Sequence, residues 1–519
     1  MFACVSASTL LGVEGRPVTV EVHVSSGLPG FTVVGLPDEA CREARDRVRA
    51  ALLSSGFAWL QRRVTVNLAP VGVRKGGAAL DLAIAVGLLA ASGEVPAAAV
   101  SNRSFLGELG LDGSLRRFPG CVALVDSLPC GEVVVPEACY YEAAIVGRHR
   151  VRVGATLLDV VEALRGQRPW PEAPPRQMSP PTLDVPDLAD VRGQPIARHA
   201  VEVAAAGGHH LLFTGPPGAG KTMLARRLPG LLPRLGGGSA LEVLRIHSAA
   251  GLPTPPTLVD VVPPFRAPHH SASAVSLIGG GTSAMRPGEL SCAHHGVLFL
   301  DELGEFPAHV LDSLRQPLEE RVVRVARARA TVEFPARFLL VAATNPCPCG
   351  WATVARGNAH ARRALGEGPG NTCRCSPSMR ERYAARLSGP LLDRFDLRIS
   401  VERPEVGEII DGSPGEATAS VAARVRSARE IAVQRGVMCN AELQGPALRK
   451  WASFDPAARV LVEYHLRVGT LTARGLDRIR RVARTLADLE GVDVERPLGD
   501  EQVSLALELR RPVCFEART

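Results

Sequence analysis

Apolar positions alternate with polar ones early in the chain. Val18, Val20, Val22 and Val24 fall on one face of a strand. Gly-Leu-Pro at 27–29 and again at 35–37 marks turns. Asp38 is placed to cap a helix that runs to about Leu53. Arg63 to Leu68 alternates again, and Ala78 to Ala91 is apolar nearly all round, as a buried helix is. This mixture predicts an α/β domain over residues 1–165.

The pattern stops at residues 166–188. Residues 167–186 hold seven prolines and no apolar period, so a stiff linker is expected there. Over residues 189–400 apolar runs alternate with helical segments, as a parallel sheet requires. Its clearest strands are Leu211–Thr214, Val297–Leu300 and Phe338–Ala343. From 401 to 519 the pattern is helical, with candidates near 416–435, 456–468, 472–490 and 499–510. No fixed-period repeat is present. A chain of 519 residues exceeds what one core organises, and two to four domains fit that length.

Composition adds exclusions. With 46% hydrophobic and 22% charged residues the chain is ordinary for a globular protein, not disordered. The N-terminus lacks the basic start of a signal peptide. The most apolar stretch, Leu82 to Ala91, is too short to cross a bilayer, which takes about 20 residues. A cytoplasmic protein without a membrane partner is expected. In that setting twelve cysteines are not a disulfide framework. A net charge of +7 permits a polyanionic partner without requiring one. Lysine occurs only at 75, 221 and 450 in an arginine-rich chain, which suggests that arginine will not serve at 221.

Lys221 lies in GPPGAGKT, which spans Gly215, Pro216, Pro217, Gly218, Ala219, Gly220, Lys221 and Thr222. An apolar strand precedes this loop and an amphipathic stretch follows. The glycines let backbone N–H groups turn inward around phosphates, and the following helix adds its positive end. Lys221 would reach the terminal phosphates of ATP and Thr222 would ligate Mg²⁺. GVLFLDE at 296–302 ends an apolar strand on two carboxylates, Asp301 for the Mg²⁺ shell and Glu302 for the attacking water. FLLVAATN ends a third strand on Asn345, whose amide would position that water.

Four cysteines are not scattered. NPCPCG carries Cys347 and Cys349, and NTCRCS carries Cys373 and Cys375. Two C-x-C pairs would give four thiolates to one structural Zn²⁺, though the spacing is tighter than a C-x-x-C knuckle. The alternative is four unligated thiols.

The ordered motifs SSGLPGFTVVGLPD, EARDRVRAAL, NLAPVGVRKGG, LGELGLDG, DVRGQ, GGHHLLFTGPPGAGKT, FRAPHHSAS, GVLFLDEL and LSGPLLDRFDL resemble the ComM/YifB family of magnesium-chelatase-like AAA+ ATPases. The resemblance runs nearly the whole chain. It implies an α/β fold in three parts. These are an N-terminal domain like that of Lon protease (ribosomal S5 domain 2-like), an AAA+ parallel-sheet core and an all-helical C-terminal lid. It also implies a hexameric ring that drives DNA branch migration in natural transformation.

Within that resemblance Arg394 stands where a ring ATPase presents an arginine finger to its neighbour, a salt bridge to Asp393 or Asp396 being the alternative. Arg474 falls where the lid's sensor arginine would be, while Arg478 and Arg481 read as a solvated basic face. In related motors a hairpin ahead of the Asn345 strand enters the central channel. Here RVVRVARARATVEFPA places Arg327 and Arg329 at its tip, facing a DNA backbone. A Lon-like peptidase is disfavoured, because RKGGAALDL has Ala78 and Ala79 and no serine, and GSLRRFPGCVALV has no lysine. Lys75 reads as a solvated turn residue. A chelatase subunit inserting Mg²⁺ into a porphyrin is the other alternative, but chelatase motor subunits lack this N-terminal domain, and no DxSxS motif is present.

Overall fold

The computed structural model describes residues 1–72, 74–175, 185–255, 257–281, 285–327, 330–352, 373–387, 389–404 and 406–511. Its N-terminal region is one seven-stranded sheet. Across it run Gly30–Val34, Arg63–Ala69, Glu14–Ser25, Phe2–Leu11, Arg103–Phe105, Glu132–Pro136 and Arg150–Gly154. Val18, Val20, Val22 and Val24 all point into the core, as their alternation requires. The Asp81–Ala91 helix packs across the two longest strands and is buried on nearly every side. Asp38 caps Glu39–Ser54 by accepting from the Cys41 N–H at 2.8 Å.

Lys75 is a correction. It is fully buried, and its ammonium donates to the Pro70 carbonyl. The turn is tied to the Leu36–Asp38 segment: Lys75 N–H donates to Leu36 O at 3.2 Å, and the Lys75 carbonyl accepts from Asp38 N–H at 2.8 Å. Those two backbone bonds draw the side chain inward.

The described end of the proline-rich stretch lies along this region. Trp170 packs on its core, and the Arg152 guanidinium stands 5.9 Å from the Trp170 ring centre.

The second region is a five-stranded parallel sheet. Its order is Phe265–Arg266, Val297–Leu300, Leu339–Thr344, Leu211–Thr214, Leu397–Ser400. Leu211 and Phe213 face one apolar cluster and Leu212 the other, so the central strand is buried on both faces. The C-terminal region is helical, with Thr418–Gln434, Gly445–Trp451, Pro456–Arg467, Ala473–Leu489 and Asp500–Glu508. Gly445–Trp451 was not expected; its apolar residues are too few for a clear period.

Arg478 and Arg481 are also corrected. Arg478 pairs with buried Asp396, and the half-buried Arg481 donates to Leu443 O at 2.8 Å. Asp396, from the neighbouring element, turns one residue of that stripe inward.

The two regions meet through a hairpin and a pair of helices. Val322–Arg327 and Ala330–Pro335 pair antiparallel, Arg327 opposite Ala330. The apolar face of this hairpin, Val323, Val325, Val332 and Phe334, packs with Val13 of the first region. The approach at Gly12 is so close that a Cβ there would stand 2.3 Å from Val332 Cγ1. A second contact joins Gly120 N–H to Ser248 O at 2.9 Å and Ser248 Oγ to Glu142 Oε2 at 2.5 Å. Arg329 lies outside the described residues.

Candidate nucleotide site

The loop after Leu211–Thr214 turns at Gly218 and Gly220, with φ of 76° and 84°, a left-handed backbone that glycine adopts without strain. Gly215 has a different need: a Cβ there would lie 2.1 Å from Val401 O. The Lys221–Ala225 helix then begins at the loop's end.

Lys221 is buried, and its Nζ donates to Gly215 O at 2.6 Å, Pro216 O at 3.0 Å and Asn345 Oδ1 at 3.2 Å. Burial pushes its pKa down, while Asp301 and Glu302 pull it up. Three strand tips therefore converge on one ammonium. Thr222 Oγ1 donates to Asp301 Oδ2 at 2.7 Å. A hydroxyl and a carboxylate side by side are hard oxygen donors, the kind Mg²⁺ takes.

Glu302 has a left-handed backbone, φ 52°, which costs a non-glycine residue about 1–3 kcal/mol. The turn lets its N–H bond Asp301 Oδ1 at 2.9 Å, and it leaves the carboxylate half exposed. His270 Nδ1 stands 3.0 Å from Glu302 Oε2 and fixes its orientation.

Three loop contacts were not foreseen. Gln194 Nε2 donates to Ala219 O at 2.7 Å and to Glu402 O at 2.9 Å. Arg403 donates to Pro217 O at 2.8 and 3.1 Å, and its guanidinium lies 4.6 Å from the Trp351 ring centre. His270 is the third. Gln194 and His270 belong to the strings DVRGQ and FRAPHHSAS, which carried the family resemblance and were a signal; Arg403 had none.

Arg394 is elsewhere. Leu397 pairs with Leu211 and Ser400 with Thr214, so Arg394 precedes its strand at the end opposite the glycine loop. The four-residue strand alone separates those ends by about 13 Å. Arg394 donates to Glu319 Oε1 and to Pro390 O, both at 2.5 Å, not to Asp393 or Asp396. Arg478 donates to Arg394 O at 3.1 Å. Arg474, exposed and one turn earlier on the same helix, belongs to that same end.

The four cysteines come together. Cys347 Sγ lies 3.3 Å from Cys349 and 3.7 Å from Cys373; Cys349 and Cys373 are 3.7 Å apart. All four sulfurs, Cys375 included, fall within 4.8 Å of one another. Glu242, His294 and His295 make a second close group. There His294 Nδ1 already accepts Arg337 N–H at 3.0 Å, so its Nε2 carries the proton in the neutral ring and donates to Glu242 at 3.1 Å. That nitrogen has no lone pair for a metal.

Comparison with known proteins gives the family. The magnesium chelatase subunit ChlI family matches residues 187–409, with related ChlI families matching 20–138 and, for the C-terminal part, 415–510. The chain is 44% identical over 509 residues to an uncharacterized protein of Mycobacterium tuberculosis, covering 96% of this chain and 97% of the relative. It is 42% identical over 501 residues to competence protein ComM of Haemophilus influenzae, covering 94% of each, and 40% identical over 487 residues to the uncharacterized protein YifB of Escherichia coli, covering 93% and 92%. The 38 kDa magnesium-chelatase subunit of Cereibacter sphaeroides is 28% identical over 152 residues, 26% of this chain and 45% of that one.

Proposed function

Since the chain belongs to the ComM/YifB family of magnesium-chelatase-like AAA+ ATPases, we propose that it is an ATP-driven ring motor acting on DNA, of the branch-migrating kind. One observation carries the motor reading: Lys221, Thr222, Asp301, Glu302 and Asn345 converge at one end of the sheet while Arg394 stands at the other. Residues 1–165 form a Lon-like domain, 189–400 the ATPase core and 401–519 the lid.

Lys221 grips the terminal phosphates, and Thr222 with Asp301 holds Mg²⁺, which spreads the charge that develops on the phosphoryl oxygens. Glu302, oriented by His270, takes the proton of the attacking water, and Asn345 fixes that water's position. Arg394 cannot reach its own loop, so it completes the site of a neighbour, and Arg474 goes with it. A head-to-tail contact of this sort closes into a ring, and six copies is our reading. The four thiolates hold a structural Zn²⁺. No helix among the described residues is long and apolar enough to cross a membrane.

DNA is assigned to the hairpin tip, where Arg327 and Arg329 meet phosphates two bonds at a time. Its apolar face, locked on the first region, gives the tip a rigid base. ATPase rates with single-stranded DNA, forked DNA and protoporphyrin test this. Stimulation by DNA alone is expected. Arg327→Ala with Arg329→Ala should keep ATP binding, lose that stimulation and flatten the salt dependence of DNA binding. Stimulation by protoporphyrin instead would return the chelatase reading; the Cereibacter sphaeroides chelatase subunit aligns with 26% of this chain.

A further inference from the structure

The four-cysteine centre is not a remote clip. Cys347 follows Asn345 by two residues, and Asn345 Oδ1 accepts from Lys221 Nζ at 3.2 Å. Gly350, at the turn between the two cysteine pairs, lies against the phosphate loop: a Cβ there would stand 2.5 Å from Pro217 Cδ. Trp351 comes next, its ring under the Arg403 guanidinium, which holds the Pro217 carbonyl. The centre thus touches the loop by three routes: Asn345, Gly350, and Trp351 through Arg403.

The sulfurs also fit a metal. Zn²⁺ at about 2.3 Å from each of four thiolates gives a tetrahedron with edges of about 3.8 Å. The observed separations of 3.3, 3.7 and 3.7 Å are close to that edge and far from a disulfide's bond length of about 2.05 Å. Backbone N–H groups already point at the sulfurs. Ala352 N–H reaches Cys347 Sγ at 3.2 Å, and those of Trp351 and Arg374 serve Cys349. Such donors are what steady thiolates around a metal.

We propose that Cys347, Cys349, Cys373 and Cys375 hold one Zn²⁺ as a brace for the nucleotide site, so that hydrolysis by this chain depends on a metal it does not use chemically. This rests on Lys221 and Asn345 facing ATP. The brace ties the chain after Asn345 to the stretch before the Ser376-capped helix, Pro377–Arg386. That helix carries Tyr383, whose hydroxyl meets Thr344 Oγ1 at 3.2 Å beside Asn345. Both sides of the Asn345 strand end are then anchored to the metal. The four cysteines are positioning residues, not catalytic ones.

The test separates the metal, the brace and the site. Protein purified without chelator is analysed for zinc, then stripped and reloaded. Nucleotide affinity and turnover are measured in each state, and also in Cys349→Ser with Cys373→Ser and in Trp351→Ala. We expect about one equivalent of zinc in the wild type. Turnover should fall about tenfold to a hundredfold on stripping, the cost of misplacing a reacting group by about 1 Å, and return on reloading. The double cysteine variant should lose both zinc and turnover. Trp351→Ala should keep the zinc and still lose turnover, a result that failure to fold at the cysteines cannot imitate. Less than half an equivalent of zinc overturns the metal. Bound zinc with unchanged turnover in both the stripped protein and Trp351→Ala overturns the brace. Unchanged ATP binding in Lys221→Ala overturns instead the reading on which the brace rests.

Discussion

Lys75 and Lys221 are a matched pair with different surroundings. Each sits beside glycine in a turn that follows a strand, and each is buried. Lys75 faces the Pro70 carbonyl inside its own turn, and no carboxylate pairs with it among the described residues. Lys221 faces Asn345 from a second strand, with Asp301 and Glu302 from a third close enough to hold its charge. A buried amine is thus not a site by itself. The site comes from separate strands ending at one place, which the parallel sheet of the second region supplies and the turn around Lys75 does not. The same contrast argues against peptidase chemistry: a Lon-type centre needs a serine hydroxyl at the amine, and RKGGAALDL offers none.

The sharpest way to break this comparison is to remove each amine. Lys221→Ala should abolish measurable ATP binding. Two charge-assisted bonds at about 1.5–3 kcal/mol each correspond to a loss of a hundredfold or more. Lys75→Met should bind ATP with wild-type affinity in the same fluorescence titration. Glu302→Gln should bind ATP and turn over about a hundredfold to ten-thousandfold more slowly, because it lacks the base but not the grip. If Lys75→Met loses ATP affinity, the first region reaches the nucleotide and the two lysines are one site.

Sequence alone carried the parts of this picture that are local. GPPGAGKT, LFLDE and VAATN each state a strand, its end and the chemistry there, and the sheet order then places them together. The cysteine pairs were legible for the same reason. Contacts between distant segments were not. Gln194 meets Glu402 from 208 residues earlier in the chain, and Arg403 reaches Pro217 from a loop with no motif of its own. Lys75 read as a turn residue because glycine neighbours signal a turn but not which way its side chain points. Arg478 and Arg481 read as a wet stripe because their partners, Asp396 and the Leu443 carbonyl, lie on other elements. The hairpin's alternation was plain, yet its partner surface, the Gly12 turn, lies over 300 residues away in sequence.

A smaller effect sharpens the trans assignment. Arg394→Ala should bind ATP normally and hydrolyse it about a hundredfold more slowly, the loss typical of one transition-state donor. Mixed with Lys221→Ala protein, it should recover part of the wild-type rate, since each variant lacks a different half of a shared site. Absence of rescue in rings shown to be mixed would place Arg394 in a structural role, on Glu319.

The smallest effect concerns two buried aspartates, one in each region. Burial raises Asp81 to about 6 despite its pairing with Arg47. Burial alone would raise Asp396 too, but Arg478, His209 and His210 pull it well below the usual carboxylate range. The two signs differ because one carboxylate has a single cation and the other has three basic groups around it. For Asp81 the folded pKa lies above the unfolded value of about 3.9. Its contribution to stability is therefore full below pH 4 and is lost as the pH rises through 6. Between pH 5 and 7.5 that loss amounts to about 1.4 kcal/mol. For Asp396 the contribution is present above pH 4 and disappears only as the pH falls toward its depressed folded value. Calorimetric melting at pH 5 and 7.5 should thus find Asp81→Asn gaining on the wild type by that amount as the pH rises, while the gap between Asp396→Asn and the wild type stays constant. Below pH 4 the gap for Asp396→Asn should shrink instead. A constant Asp81→Asn gap would mean that Arg47 holds Asp81 ionised throughout, and that the first region tolerates a buried charge as well as the ATPase core does.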